Sequence, residues 1–502
     1  MNPAVPLREA LRGSRRPNRR QLASQTWLAL RGFLQRGGAD GWVLVMIALA
    51  GLVARFDLAP AWLTASAVCF GAAHAFIQRM DRGLPLAPIA AWLASLQWLL
   101  GALWYYGRNH DFAAMGMAVD ADAYFAFAVP ATAAFVLGLL LPGFSLHQRR
   151  LLADVSRRHF RNTGLLLAAV SLAADVAGRL GPPSLAFGFL LLSQLRYVGA
   201  LYLWFAPQRG SRWLAALSLV PLFAGSAESA MFHDLLLWGG LLFCFAFASR
   251  PRSWLTKSLL IAGALVVAVT LQGIKQSFRE KVWNEHEASL THEILSFWSG
   301  FEKMDIDVLE QGVLARLNQA WIVSQVMHHV PSGEPYANGA TVVDAVVAAA
   351  VPRFLVPDKA EAGGRANFTR FTGLPLVGST SMNLSLLGEG YANFGGDGSI
   401  VFLFFCGAAV SLAIGVCFRW TRCRPLFVFW IPLVFYQAVK AETDLTEILN
   451  QIVKGGMVAV VCFIVVEQVL PTVRCMSRAR SLRMNRRRPT ESPKNTAAQS
   501  DA

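Results

Sequence analysis

Twelve stretches of this chain are apolar over about the length a helix needs to cross a bilayer, and no other feature restricts its fold as strongly. They run near 41–55, 58–78, 84–106, 122–142, 163–180, 184–206, 212–226, 229–248, 254–273, 399–418, 425–440 and 450–470. A hydrocarbon core about 30 Å thick takes roughly 20 apolar residues per helix. Inside it every backbone N–H and C=O must be bonded within the chain, so such segments become helices. The first, seventh and eleventh are short. The first two are candidates for a re-entrant pair, because Arg55 and Asp57 lie between them with Pro60 just after. Composition agrees: 55% of the 502 residues are hydrophobic and 15% charged, against about 25% charged in soluble domains. The expected fold is an all-α polytopic membrane protein of about twelve transmembrane helices with one large outer loop.

The charge sets the direction. The net charge is +15, and arginines crowd both ends of the chain. Basic tails can bind nucleic acid, but here they match the positive-inside rule, which anchors them in the cytoplasm. No nucleic-acid partner is expected. The loops 79–83, 143–162, 207–211, 249–253 and 419–424 each carry arginine and are expected inside. The loops 107–121 and 441–449 are acidic and are expected outside. The organisation is then a basic cytoplasmic segment 1–38, nine spans in 39–273, an outer segment 274–398, three spans in 399–470, and a basic, disordered cytoplasmic tail 471–502. The N-terminal segment is too polar for a signal peptide. Seven cysteines show neither a disulfide framework nor metal-ligand spacing. No metal and no cofactor is expected.

The outer segment holds the candidate chemistry. A helix over 308–330 carries Leu309, Val313, Leu317 and Trp321 on one face, to lie on the membrane or pack on the bundle; Arg316 and Asn318 sit on it. The apolar segment 341–350 is too short to span and is expected to dip into the interface. Arg353 and Lys359, in PRFLVPDK, are framed by prolines. They suit either lipid phosphate or a pyrophosphate, since arginine offers a planar fork and lysine a point charge. Arg365 and Arg370 read as headgroup contacts, and 360–377 has no assignment. Thr380 and Ser381 precede LLGEGYANFGGDG, in which Asp397 reads as the N-cap of the next span. Glu389 is left without a structural role and is the candidate general base. Tyr391 and Asn393 suit either sugar recognition or loop packing. Ionisable residues within spans are costly and so are functional candidates: Asp175, Arg196, Glu228, Asp234, Lys440 and Lys454, with Arg196 the deepest. His286 and His292 fit no zinc pattern and read as a solvated face.

The series Arg316-Leu-Asn318, Pro331, Pro335-Tyr336, Gly339-Ala-Thr341, PRFLVPDK at 352–359, Thr380-Ser381 and GEGYANFGGDG at 388–398 resembles the Wzy-type polymerases. These join lipid-linked repeat units of O-antigens and exopolysaccharides. The resemblance covers about 85 residues directly, and the plan of spans around one outer loop agrees over most of the chain. It implies a GT-C-like glycosyltransferase of the bacterial inner membrane, with no metal. The donor would be a glycan on undecaprenyl pyrophosphate and the acceptor a sugar hydroxyl of another lipid-linked unit. Arg353, Lys359 and Arg316 would stabilise the departing pyrophosphate. Glu389 would orient or deprotonate the acceptor, with Asn318, Thr380, Ser381, Tyr391, Asn393 and Arg196 binding substrate. Partners would be the lipid-linked oligosaccharide, the bilayer, a chain-length regulator and a flippase. Two rival readings are an O-antigen ligase, resting on His292 or His328, and a transporter of the same lipid-linked sugars. The transporter reading lacks the internal repeat common in that class.

Overall fold

The protein is described by a computed structural model covering residues 41–108, 115–153, 155–182, 185–228, 233–248, 251–268, 310, 313, 314, 317–351, 364–376 and 380–469. Among these, every regular element is helical. We number the helices α1 (Gly41–Arg55), α2 (Ala61–Arg79), α3 (Leu86–Arg108), α4 (Ala121–Leu140), α5 (Phe160–Leu180), α6 (Ala186–Phe205), α7 (Ser211–Phe223), α8 (Asp234–Phe247) and α9 (Trp254–Ala268). In the polar segment follow α10 (Ala320–His329), α11 (Ala340–Ala350) and α12 (Arg365–Thr372). The chain ends in α13 (Ser385–Cys423), α14 (Pro425–Val439) and α15 (Leu445–Glu467).

Seven of these, α2 to α6, α13 and α15, are long and apolar enough to cross a membrane. The other five expected spans coincide with shorter apolar helices, α1, α7, α8, α9 and α14. By length and composition the structure therefore supports seven crossings rather than the expected twelve. The lipid-facing side is visible on α13: Val401, Phe405, Leu412 and Val416 are exposed on one face, while Leu403, Val410, Ile414 and Phe418 are buried on the other. A helix apolar all round, with half of it uncovered, belongs in hydrocarbon.

The chain forms two compact units. The first comprises Met1–Asp154, Leu222–Pro425 and Phe435–Asn450. Its centre is the crossing of α4 and α13, and small residues make that crossing possible. A Cβ on Gly138 would stand 2.2 Å from the Phe404 carbonyl oxygen, and one on Gly407 would stand 2.4 Å from that of Phe135. The pair α1 and α2 packs along its length, with Ile47 against Gly71. α2 is long enough to cross by itself, so the two do not form a re-entrant pair of half-spans.

The loops of this unit sort into two sets. At one end the Gln148 amide N–H donates to the Arg82 carbonyl (3.2 Å), and its side chain donates to the Phe245 carbonyl (3.2 Å). There the Asp81 carboxylate takes the Arg252 N–H (2.9 Å) and the Lys257 ammonium (2.8 Å). At the other end the Ala118 N–H donates to Ser324 Oγ (3.0 Å), the Trp98 indole to the Ala441 carbonyl (3.2 Å), and the Leu445 N–H to Glu389 (2.8 Å). Loops expected inside meet only loops expected inside in these bonds, and those expected outside do likewise.

The second unit comprises Val155–Pro221, Leu426–Val434 and Gln451–Ala502. Here α5 and α6 close on Gly164 and Gly199, each of whose missing Cβ leaves room for the other's carbonyl (2.8 and 2.9 Å). The Tyr202 hydroxyl donates to Glu467 (2.8 Å) and accepts from the Trp430 indole (3.3 Å). Arg196 is buried, ion-paired to Asp175, and bonded through Nε to the Ser193 carbonyl (2.9 Å). Such a pair lets an arginine lie among apolar helices without a substrate.

Candidate functional site

The GEGYANFGGDG stretch is helical, and its glycines set where the helix breaks. Gly395 has φ 66° and ψ −165°, a conformation that side chains rarely tolerate. It splits α13 into a polar helix, 385–394, and the membrane-crossing part that follows. The membrane-crossing helix therefore starts directly after Gly395, ahead of Asp397. Asp397, expected as its N-cap, instead pairs with Arg55 at the surface (2.8 Å).

Glu389 lies on the helix before the kink and is only 1% exposed. Its Oε1 accepts from the Thr341 hydroxyl (2.8 Å) and its Oε2 from the Leu445 N–H (2.8 Å). Thr341 stands in the first turn of α11 and Leu445 opens α15. One carboxylate thus satisfies donors at the starts of two helices, where backbone N–H groups lack partners and the helix dipole favours negative charge. Glu389 has the structural role that its neighbours in sequence do not reveal.

Asn393 completes the arrangement. It is fully buried. Its Nδ2 donates to Thr341 Oγ1 (2.7 Å) and to the Glu389 carbonyl (2.8 Å), and its Oδ1 accepts the Gly339 N–H (3.0 Å). Gly339, at φ 88°, makes the left-handed turn that starts α11. The Ala337 and Asn338 N–H groups donate to the carbonyls of Ala392 and Asn393 (2.9 and 3.1 Å). Asn393 spends its side chain on these contacts, so it does not face a sugar. α11 packs on the first turns of α15 through Thr341, Ala345 and Ala348, while Val343 and Val346 stay exposed. That exposed face keeps the expected interfacial position available to the helix. Tyr391 is half-buried, edge-on to Phe127 (4.9 Å) and beside Tyr336 (6.3 Å).

The carboxyls here share a dry environment. Burial pushes Glu389 up from its ordinary value, and the Leu445 N–H and Thr341 hydroxyl pull it partly back. Asp444, whose Oδ1 caps α15 by accepting the Glu447 N–H (2.9 Å), is pushed up to about 7, by burial first and the Glu389 charge second. Folded protein then holds a proton on Asp444 that unfolded protein releases from about pH 3.8 upward. Stability is present at low pH and is lost as pH rises towards 7. In detergent, the wild-type melting temperature is expected to be lower at pH 8 than at pH 5. Asp444→Asn keeps the cap and is expected to flatten that difference. An equally steep dependence in the variant would assign it to other groups.

The other predicted residues are dispersed. Thr380 and Ser381 are exposed, and the Thr380 carbonyl accepts from Arg365 (3.5 Å). Asn318 is buried, with Nδ2 towards Met117 Sδ (3.8 Å) and Oδ1 without a partner among the described residues. Arg196 belongs to the second unit. Arg316, Arg353 and Lys359 lie outside the described residues, as do Leu309, His286 and His292; the Glu228 side chain does too. Lys440, named only as an ionisable residue within a span, bonds Asp234 (3.2 Å) and stands over the Tyr436 ring (4.4 Å). Lys454 stands over Phe187 (5.6 Å).

Of the stripe expected over 308–330, Trp321 packs into the protein: with Val326 and Val330 it joins Phe368, Phe371 and Leu384 in one core. That core gives the unassigned 360–377 stretch a part: α12 inserts its two phenylalanines. Arg370, expected at headgroups, bonds Glu334 (2.5 Å), and Arg365 bonds the Leu376 carbonyl (2.5 Å). Among the described residues no three metal-binding side chains come together. Sequence reasoning missed Thr341, the Leu445 amide and the capping role of Asp444. The Gly339-Ala-Thr pattern, a turn glycine two residues before a hydroxyl, was the one available signal for the first.

No protein-family model, curated protein or solved structure matches the chain.

Proposed function

We propose that the protein is a bacterial inner-membrane glycosyltransferase that joins undecaprenyl-pyrophosphate-linked repeat units into a polysaccharide at the outer face. The observation that carries this reading is the docking of the polar segment 317–398 onto one end of apolar helices through Glu389, at the end where acidic loops gather. Such a platform meets substrates delivered in the bilayer. The basic loops at the opposite end support cytoplasmic termini, and in this reading the five short apolar helices also cross, for the twelve spans of a GT-C-like plan.

The chemistry follows from the substrates. An acceptor hydroxyl oxygen attacks the anomeric carbon of the donor, whose bond to pyrophosphate oxygen breaks. The lipid pyrophosphate leaves with the electron pair, and the hydroxyl proton passes to a nearby base or solvent. Arg353, Lys359 and Arg316 stabilise the charge on the leaving group. Tyr391, Thr380 and Ser381 retain accessible surface for sugar. With both oxygens engaged, Glu389 acts here as a positioning residue for α11 and α15.

The test is reconstitution with a purified undecaprenyl-pyrophosphate-linked repeat unit. The expected products are a ladder of polymers and free undecaprenyl pyrophosphate, with Arg353→Ala slowing both by about 100-fold or more. Folded protein that yields neither product sinks the reading. Transfer only to lipid A core would identify a ligase, and passage of intact units across vesicles a transporter.

A further inference from the structure

Two cavities of the first unit adjoin, and their linings differ in kind. One is an open cleft of about 580 Å³ between the α1–α2 turn and the start of α4. Asp57, Leu58, Asp122 and Ala126 line it. The other is a groove of about 370 Å³ along α1 and α2, lined by Trp42, Val45, Leu49 and Leu63. Ala59 and Thr64 line both, so the cleft and the groove share a wall. The cleft lies at the end of the unit that carries the 107–121 loop and the docked polar segment. The groove runs from there along a membrane-crossing helix.

The shape demands an amphiphile with its tail in the groove and its head in the cleft. The head's chemistry is set by Asp57 and Asp122. Both are exposed, and neither has a partner among the described residues. Carboxylates only accept hydrogen bonds and repel phosphate. They suit a head rich in hydroxyl donors. Arg55, two residues before Asp57 and next to the cleft-lining Ala54, gives one nitrogen to Asp397 and keeps further N–H groups for the phosphate of the lipid. We infer that this cleft and groove bind a lipid-linked glycan, with sugar hydroxyls on Asp57 and Asp122 and the polyprenyl chain along α1 and α2. The inference rests on the proposed reaction and gives its acceptor a place.

The experiment reads binding without turnover. Full-length protein in detergent micelles is offered undecaprenyl pyrophosphate bearing a neutral disaccharide, bare undecaprenyl pyrophosphate, and phosphatidylethanolamine, and retained lipid is counted by native mass spectrometry. The glycan-bearing lipid is expected to be retained at least about tenfold better than the bare one, the effect of one or more charge-assisted hydrogen bonds. Asp57→Asn with Asp122→Asn, both at the surface, is expected to abolish that preference. Ala67→Phe, which fills the groove, is expected to lower retention of both polyprenyl lipids. Equal retention of the two, an unchanged preference in the double variant, or displacement by phosphatidylethanolamine overturns the site. A wild type that makes no polymer yet shows the preference sinks the polymerase reading alone. A working polymerase without the preference sinks this site alone.

Discussion

Glu389→Ala is expected to unseat the polar segment from the helices that carry it. The substitution strands two buried donors, the Thr341 hydroxyl and the Leu445 N–H. Leaving a buried donor unmade costs about 1–3 kcal/mol each, so the change costs about 2–6 kcal/mol before any cavity forms. Folded domains hold only about 5–15 kcal/mol in total. The expected result is a lower melting temperature in detergent and faster proteolysis within 317–398. Glu389→Gln separates structure from chemistry. Its oxygen can still accept from Leu445, and its shape is unchanged, so the fold is expected to survive with a loss near 1 kcal/mol. A folded glutamine variant that makes no polymer would return Glu389 to the reacting groups. One that polymerises normally fits a positioning residue. An alanine variant as stable as wild type would remove the carboxylate from the architecture altogether.

Lys257→Ala is expected to be as damaging at the opposite end of the same unit. Lys257 and Asp81 are 6% and 9% exposed and meet at 2.8 Å. Removing the lysine leaves a buried charge with, among the described residues, only the Arg252 N–H for company. Breaking a buried pair from one side costs about 3–5 kcal/mol, whereas replacing both members with neutral groups of similar volume can be close to neutral. Lys257→Met with Asp81→Asn is therefore expected to recover most of the melting temperature lost by Lys257→Ala. Failure of the double variant to recover it would mean that the pair fixes the 79–83 and 251–257 loops by its charge and not merely by filling space.

The membrane helices were legible because their signal is local. Twenty apolar residues in a row say the same thing whatever they touch, and each expected span coincides with a helix. Their number was less secure, because α1, α7, α8, α9 and α14 fall short of the bilayer's thickness and length alone cannot count them. In the first unit, the loops that bond one another are ones whose charge placed them on the same side.

The site was legible only in part. Glu389 and Asn393 were singled out as candidates, but the partners that define them lie 48, 52 and 56 residues away in the chain. Asp397 looked like a cap because a helix was assumed to start after it. The break at Gly395 starts that helix two residues earlier instead. Lys440 and Asp234 were each named as lone charges within spans, and they are partners 206 residues apart. Arg196 looked available to a substrate until α5 supplied Asp175.

By itself the sequence determined that this chain enters a membrane as helices, and which loops share a face, since hydrophobicity and charge act residue by residue against lipid and water. Only the tertiary structure decided what Glu389 does. A buried carboxylate is defined by the donors around it, and the helix starts that supply them come together only when distant parts of the chain have packed.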